Sequence, residues 1–270
     1  MEPLEEFLGV AGAAVRESGR FLKAHLDRRP KAAHKGAVDL VTEYDVRAQE
    51  MLAGRLAAAF PDHGILAEEN LARPGRSEYR WVLDPLDGTT NFAHTLPIFS
   101  VSAALERRGR VVLGLVYDPM REELFEAAEG RGASLNSQPI RVSGVGDLGQ
   151  SLLATGFPYD IRTSPVNNLD HWGRFLVRAQ AVRRCGSAAL DLCYVACGRF
   201  DGFWELKLKP WDVAAGTLIV AAAGGKVTDF KGGEFRTDLP EILASNGLVH
   251  EAMIEVLGMD GEAGKDGKHE

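Results

Sequence analysis

"WVLDPLDGTTNF" (81–92) sets two aspartates three residues apart at the end of an apolar run. Trp81, Val82 and Leu83 read as a buried strand, and such a strand does not ordinarily hold unpaired carboxylates. Pro85 interrupts the ladder, and Gly88, Thr89 and Thr90 supply a tight turn with two hydroxyls. In isolation the stretch is also readable as a plain turn, since Asp, Pro and Gly are all turn formers. If it is more than a turn, something must compensate Asp84 and Asp87.

Upstream of this strand, Leu4, Leu8, Ala11, Val15, Leu22 and Leu26 recur at helical spacing and predict an amphipathic helix. A loop and a short strand follow over 28–41. Thr42 is a good N-cap with Asp45 at the acid position of a capping box. Tyr44, Ala48, Leu52, Leu56 and Phe60 continue as a second helix, ended by Pro61. "GILAEEN" (64–70) is a short strand running into Glu68 and Glu69.

Downstream, 97–140 reads as strands broken by Gly-containing turns, a mostly antiparallel meander. The second half alternates. Strands are expected at "SLLATGF", "AVRRC", "FDGFWEL", "KVTDF" and "EILASN". Helices are expected over about 166–178, over about 188–197, and from Trp211 to a Gly224-Gly225 stop. The layout is a single α+β catalytic domain over 1–258, with an α+β half to about 146 and an α/β half from about 147. The Gly-rich, charged tail 259–270 is expected to be disordered.

With 270 residues, 45% hydrophobic and 26% charged, the chain has the composition of an ordinary soluble globular protein. Its formal charge of -7 argues against a nucleic-acid or anionic-membrane binder. The basic patches "RRGR" (107–110) and "VRRC" (182–185) are short and lack interleaved aromatics. The N-terminus lacks the basic and apolar regions of a signal peptide, and no apolar run approaches the roughly 20 residues of a membrane span. A cytoplasmic protein is expected. Cys185, Cys193 and Cys197 have no histidine nearby to complete a zinc site and read as small buried thiols.

Five acidic residues stand out. Glu68 and Glu69 end an apolar strand, Asp84 and Asp87 flank the proline turn, and Asp212 follows Trp211 at the head of an apolar helix. Separately, Asp212 reads as an N-cap and Glu68-Glu69 as loop acids. Together they read as one cluster, which must take up protons or bind cations. Oxygen ligands suit magnesium, and paired ions can activate a water and orient a phosphate. Gly88, Thr89 and Thr90 at the head of a short helix would place N–H groups beside that phosphate.

"WVLDPLDGTTNFAHTLPIFSVS" and "KPWDVAAGTLIVAAAGGKVTDF" resemble the two signature segments of the inositol monophosphatase family, and "VDLVTEYD" and "AEEN" match two more in the right order. The resemblance runs from about residue 5 to residue 258. It implies a layered αβαβα fold, shared with fructose bisphosphatases, and hydrolysis of a small-molecule phosphate monoester with two or three Mg2+ ions. It makes Glu68, Asp84, the Leu86 carbonyl, Asp87 and Asp212 metal ligands. Gly88 and Thr89 would hold phosphate through main-chain N–H groups, and Asp45 with Thr89 would orient and deprotonate the attacking water. The capping role of Asp45 stays open beside this one. A homodimer is also implied.

The segments "CGSAALDL" and "GFWELKLKPWD" place Gly186, Ser187, Ala188 and Glu205 along a polyol pocket in that family. A carboxylate suits adjacent hydroxyls. Ser187 is equally a helix N-cap, and Glu205 equally a strand-edge acid. The stretch 182–212 looks most like the bacterial inositol phosphatases, which ranks inositol monophosphate first. Fructose 1,6-bisphosphate, adenosine 3',5'-bisphosphate and histidinol phosphate are the alternatives within the family. A non-catalytic regulatory or binding module is the alternative outside enzymology, and the full set of acids speaks against it.

Overall fold

The computed structural model describes residues 4–28, 32–34 and 40–259. The expected tail lies outside these residues except for Met259. Helix α1 (Leu4–Lys23) opens the chain; the antiparallel pair β1 (Ala32–His34) and β2 (Leu40–Thr42) leads into helix α2 (Glu43–Ala59). Both helices bury their apolar stripe: Phe7, Ala11, Val15 and Leu22 on α1, Ala48, Leu52 and Leu56 on α2.

A sheet of eight strands follows. It takes β3 (Gly64–Ala67), β4 (Leu71–Arg73) and β5 (Tyr79–Asp87) before the single turn of α3 (Thr89–Ala93). It continues with β6 (Ser100–Arg107), β7 (Arg110–Asp118), β8 (Glu123–Ala128), β9 (Gly132–Leu135) and β10 (Gln138–Pro139). From β5 to β10 each strand pairs antiparallel with the next, the expected meander, while β3 lies parallel to β5. The edge strand β4 is an addition to the sequence reading. At the β6–β7 turn the "RRGR" arginines meet acids: Arg108 pairs with Glu78 at 2.7 Å, and Arg107 and Arg110 with Glu129 at 3.5 and 3.2 Å.

The chain then alternates: β11 (Leu152–Thr155), α4 (Leu169–Leu176), β12 (Ala181–Arg183), α5 (Ala188–Ala196), β13 (Gly202–Leu206), α6 (Pro210–Ala222), β14 (Lys226–Thr228), β15 (Glu241–Ser245) and α7 (His250–Gly258). Its sheet has the order β12-β11-β13-β15-β14, with β11 parallel to β12 and β13 and the β15 pairings antiparallel. Helix α4 is shorter than expected, and α7 was not anticipated.

Alternation along the strands assigns the layers. Leu83 faces the core under α1 and α2; its neighbour Val82 faces a second core shared with α5 and α6. Ala154, Phe203 and Ala244 close that second core from the other sheet, and Leu153, Trp204 and Leu243 face a third core with Phe175 of α4 and Met253 of α7. The result is the αβαβα stack that the resemblance implied. Every residue of α5 is buried, as a helix apolar at all positions but Asp191 requires when it lies between two sheets. Cys193 sits fully buried there, and Cys185 and Cys197 are half-buried; all three are free thiols. Among the described residues no helix is long and apolar enough to cross a membrane.

Candidate active site

The two aspartates of β5 are brought to one side by a bulge. On a regular strand, residues three apart point to opposite faces. Here Asp84 pairs with Ser102 and Asp87 with Ser100, so three steps on β5 oppose two on β6. The extra residue re-aims the strand at Pro85. The Leu86 amide donates to Asp84 Oδ1 at 2.9 Å, which fixes the turn. Asp84 is 2% exposed and Asp87 is buried beside it.

The second half of the chain reaches Asp87 through α5. Ser187 caps that helix, accepting from the Leu190 amide, and donates its hydroxyl to Asp87 Oδ2 at 2.6 Å; the Ala189 amide adds a bond at 2.9 Å. Ser187 thus fills the N-cap role left open and also touches the acid cluster. Asn91 of α3 donates to the carbonyls of Ile98 and Cys185, both at 2.8 Å, tying the same two segments together. Asp212, in the first turn of α6, accepts from the Lys209 amide at 2.6 Å. Gln49 of α2 clamps the Glu68-Glu69 turn, bonding the Glu69 amide at 3.0 Å and its carbonyl at 3.2 Å.

Asp45 joins the site from α2. Its Oδ2 accepts the Thr42 amide at 2.8 Å, closing the capping box, while Oδ1 accepts the Thr89 hydroxyl at 2.8 Å. The Leu86 carbonyl is a second acceptor for that hydroxyl at 3.1 Å. Gly88 precedes Thr89 with φ of 101°, and a Cβ there would lie 3.0 Å from the Ile98 carbonyl oxygen. Only glycine combines that conformation with so close an approach.

These groups surround a pocket of about 490 Å³ lined by Glu68, Asp87, Gly88, Thr89, Gly186, Ser187, Ala188, Glu205 and Asp212, among others. Asp45, Asp84 and Leu86 lie buried beneath that wall. Glu205 is 8% exposed and no described group hydrogen-bonds its carboxylate. Burial, with the neighbouring Asp191 charge, pushes its carboxyl up to about 8, although Arg184 acts the other way. Burial likewise raises Asp84, Asp87 and Asp212, and the charges of Glu68, Asp87 and Asp212 add to the shift of Asp84. The bonds from Ser187 and Ala189 partly offset the rise at Asp87.

The donor set suits a hard cation. Among the described residues, no lysine, arginine or histidine forms an ion pair with Asp84, Asp87 or Asp212, so three carboxyls share the site without neutralisation. All the groups are oxygen donors, the preference of magnesium. They do not already form a closed cage: among the described residues no three His, Cys, Asp or Glu side chains are set to hold an ion alone. Magnesium usually keeps several waters, and an open acidic pocket leaves room for them.

Asp191 escaped the sequence reading. It is 1% exposed, lines the pocket, and its Oδ1 has no hydrogen-bond partner among the described residues. The signal was present: "SAALDLCYVA" (187–196) holds one carboxylate in an otherwise apolar helix. Gly156 and Asn91 gave no comparable signal, because their roles depend on segments distant in sequence.

The chain matches the model of the inositol monophosphatase family over residues 3–259. It is 41% identical over 254 residues to the Nus factor SuhB of Escherichia coli K12, covering 93% of this chain and 95% of that protein. It is 40% identical over 253 residues to the inositol-1-monophosphatase of Mesorhizobium japonicum, with the same coverage of 93% and 95%. The inositol monophosphatase structure from Anabaena superposes with a TM-score of 0.86 at 42% identity, over 94% of this chain and 96% of that one. That of a Thermotoga maritima IMPase gives 0.85 at 37% identity, over 95% and 97%.

Proposed function

The chain belongs to the inositol monophosphatase family, and from that premise we propose that it is a magnesium-dependent phosphatase whose substrate is inositol monophosphate. One observation carries the reading: carboxyls without ion pairs among the described residues meet at a pocket with Thr89, which bonds Asp45, and with Glu205, whose carboxylate accepts no hydrogen bond from any described group. The first feature calls for cations, the second moves a proton, and the third awaits a donor.

Glu68, Asp84, the Leu86 carbonyl, Asp87 and Asp212 are the residues that would hold two or three Mg2+ ions. Bound there, the ions supply Lewis-acid charge for the phosphate and lower the pKa of a water. Gly88 and Thr89 open α3 and offer main-chain N–H groups to the phosphate. The Thr89 hydroxyl, already donating to Asp45, presents its oxygen lone pairs to the attacking water. As the water adds to phosphorus its proton passes to Thr89, and the Thr89 proton passes to Asp45. The bond from phosphorus to the polyol oxygen breaks, and that oxygen takes up a proton from solvent water. Gly186, Ser187 and Ala188 line the polyol end, where Glu205 accepts the hydroxyls of the ring.

A panel of phosphomonoesters assayed with magnesium tests the reading. It should contain both inositol 1-phosphate enantiomers, fructose 1,6-bisphosphate, adenosine 3',5'-bisphosphate and histidinol phosphate. Inositol phosphate is expected to give the highest kcat/KM; a higher value for another ester moves the substrate within the family. A homodimer is part of the same reading by family resemblance, and sedimentation tests it.

The name Nus factor SuhB, carried by relatives at 41% identity, favours a second, non-catalytic role beside the first. An Asp84→Asn chain, without hydrolytic activity, would separate them. If it restores a strain lacking this protein, the second role is the one the cell depends on.

A further inference from the structure

The Glu205 carboxylate lies flat against a residue that nothing else in the site uses. A Cβ built on Gly156 would fall 2.2 Å from Glu205 Oε1 and 2.4 Å from both Oε2 and Cδ. Gly156 does not adopt a left-handed backbone. Glycine stands here because a side chain has no space, not because the chain needs its conformational freedom. Both residues line the pocket.

One buried amide holds this pair. Asn168, 3% exposed and left-handed with φ of 73°, donates through Nδ2 to the Gly156 carbonyl at 2.6 Å and to Thr155 Oγ1 at 2.9 Å. Its Oδ1 accepts from Trp204 Nε1 at 2.8 Å. An indole only donates, so the orientation of the amide is fixed. Thr155 donates in turn to the Trp204 carbonyl at 2.5 Å, across the parallel pairing of β11 and β13. Trp204 is the residue before Glu205. The strand that carries the acid and the loop that backs it are therefore joined through one side chain.

We propose that Gly156 is a specificity-determining residue, whose bare α-carbon seats the Glu205 carboxylate and aims it at the hydroxyls of the substrate, with Asn168 positioning both. This rests on the reading of Glu205 as the hydroxyl acceptor. A methyl at 156 meets the far end of a flexible side chain, so the carboxylate moves and the fold stays. Hydrogen bonding to a hydroxyl tolerates little displacement, whereas the metal and water chemistry lies on other residues.

The test measures kcat/KM for inositol 1-phosphate and for an aryl phosphate, and takes their ratio, in Gly156→Ala, Glu205→Gln, Glu205→Ala and the double variant Gly156→Ala with Glu205→Ala. Thermal unfolding checks each fold. Glu205→Gln and Gly156→Ala should each lower the ratio by about tenfold or more, the loss expected for a weakened bond to a charged group. The double variant should be no worse than Glu205→Ala alone, because no side-chain end is then left for the methyl to displace. Additive losses, an unchanged ratio in Gly156→Ala, or a Gly156→Ala chain that does not fold would each overturn the proposal. An unchanged ratio in Glu205→Gln would instead bring down the reading it rests on, and the proposal with it.

Discussion

Asp45 accepts the Thr89 hydroxyl at 2.8 Å with one carboxylate oxygen and the Thr42 amide with the other. The helix cap is in place, and the same carboxylate also meets Thr89, as the proposed water-activating role requires. The cap fixes the carboxylate against α2, and that fixed oxygen sets the direction of the Thr89 hydroxyl. The lone pairs of Thr89 are then free to accept from a water in the pocket. In the proposed mechanism Asp45 acts through Thr89 rather than on the substrate.

Thr89→Ala removes that hydroxyl and keeps the backbone N–H at the start of α3. Turnover should fall by about 10² to 10⁴, the usual size of general-base assistance, with KM little changed. Thr89→Ser, which restores the hydroxyl, should recover most of the rate. A Thr89→Ala enzyme with normal kcat and a weakened KM would reverse the roles assigned to the hydroxyl and the amide.

The acid cluster makes a linked pair of predictions. Asp84→Asn or Asp212→Asn should lower turnover by a thousandfold or so, the equivalent of several kcal/mol of charge stabilisation. Without metal, the same variants should melt roughly 2–4 °C higher, for about 1 kcal/mol of relieved repulsion. Burial and neighbouring charges raise the folded carboxyls above their unfolded values. Their contribution to stability is therefore present at low pH and lost as pH rises through the folded values. Magnesium binds the ionised forms, so its stabilising effect should be larger at pH 8 than at pH 5. Equal shifts in melting temperature at the two pH values would contradict the assignment.

What was legible in the sequence was mostly local. Thr42 and Asp45 announced a capping box because the partners lie three residues apart. The apolar runs broken by Gly-containing turns over 97–140 announced the meander. The bond from Ser187 to Asp87 spans 100 residues, and no pattern at either end demands it. The bulge at Pro85 was hidden for a different reason: a slip of one residue leaves composition and periodicity intact and changes only where side chains point. The seat at Gly156 was hidden because a missing side chain gives no sign of what occupies the space. The acids could be grouped only by treating them as one chemical demand; Glu68, Asp87 and Asp212 line one pocket, with Asp84 buried beside Asp87.

His250 provides a stability test far from the chemistry. It is fully buried at the start of α7, with its rings nitrogens 2.8 Å from Ser245 Oγ and 2.9 Å from Thr228 Oγ1. Thr228 gives its own proton to the Asp229 carbonyl, so the His250 Nε2 proton goes to Thr228 and Nδ1 accepts from Ser245. Burial, with the Lys226 charge, lowers the imidazole to about 4 from 6.5. The unfolded chain takes up this proton first, so stability is complete above about pH 6.5 and is lost as pH falls toward 4. The loss is at most about 3 kcal/mol. The gap in stability between wild type and His250→Gln should narrow across that window in denaturant titrations. A gap independent of pH would show that the imidazole does not stay neutral in the fold.

Glu205 gives the most exposed prediction, because substrate identity depends on it. Its carboxyl is pushed up to about 8 by burial and by the Asp191 charge, and no described donor satisfies it. The protonated acid has one oxygen left as a good acceptor, whereas the ionised form accepts two charge-assisted bonds from adjacent hydroxyls. Affinity for a polyol phosphate should therefore improve as pH rises from about 7 to 9, seen as a falling KM. An aryl phosphate, with no hydroxyls to offer, should not share that trend. Stability moves the opposite way: a folded acid raised above its unfolded value loses stabilisation as pH rises toward 8. Glu205→Gln should consequently be more stable than wild type at pH 8 in the absence of substrate and metal, and should lose the polyol-specific pH trend. Parallel KM profiles for the two substrates in wild type would remove Glu205 from recognition and leave the inositol assignment on family resemblance alone.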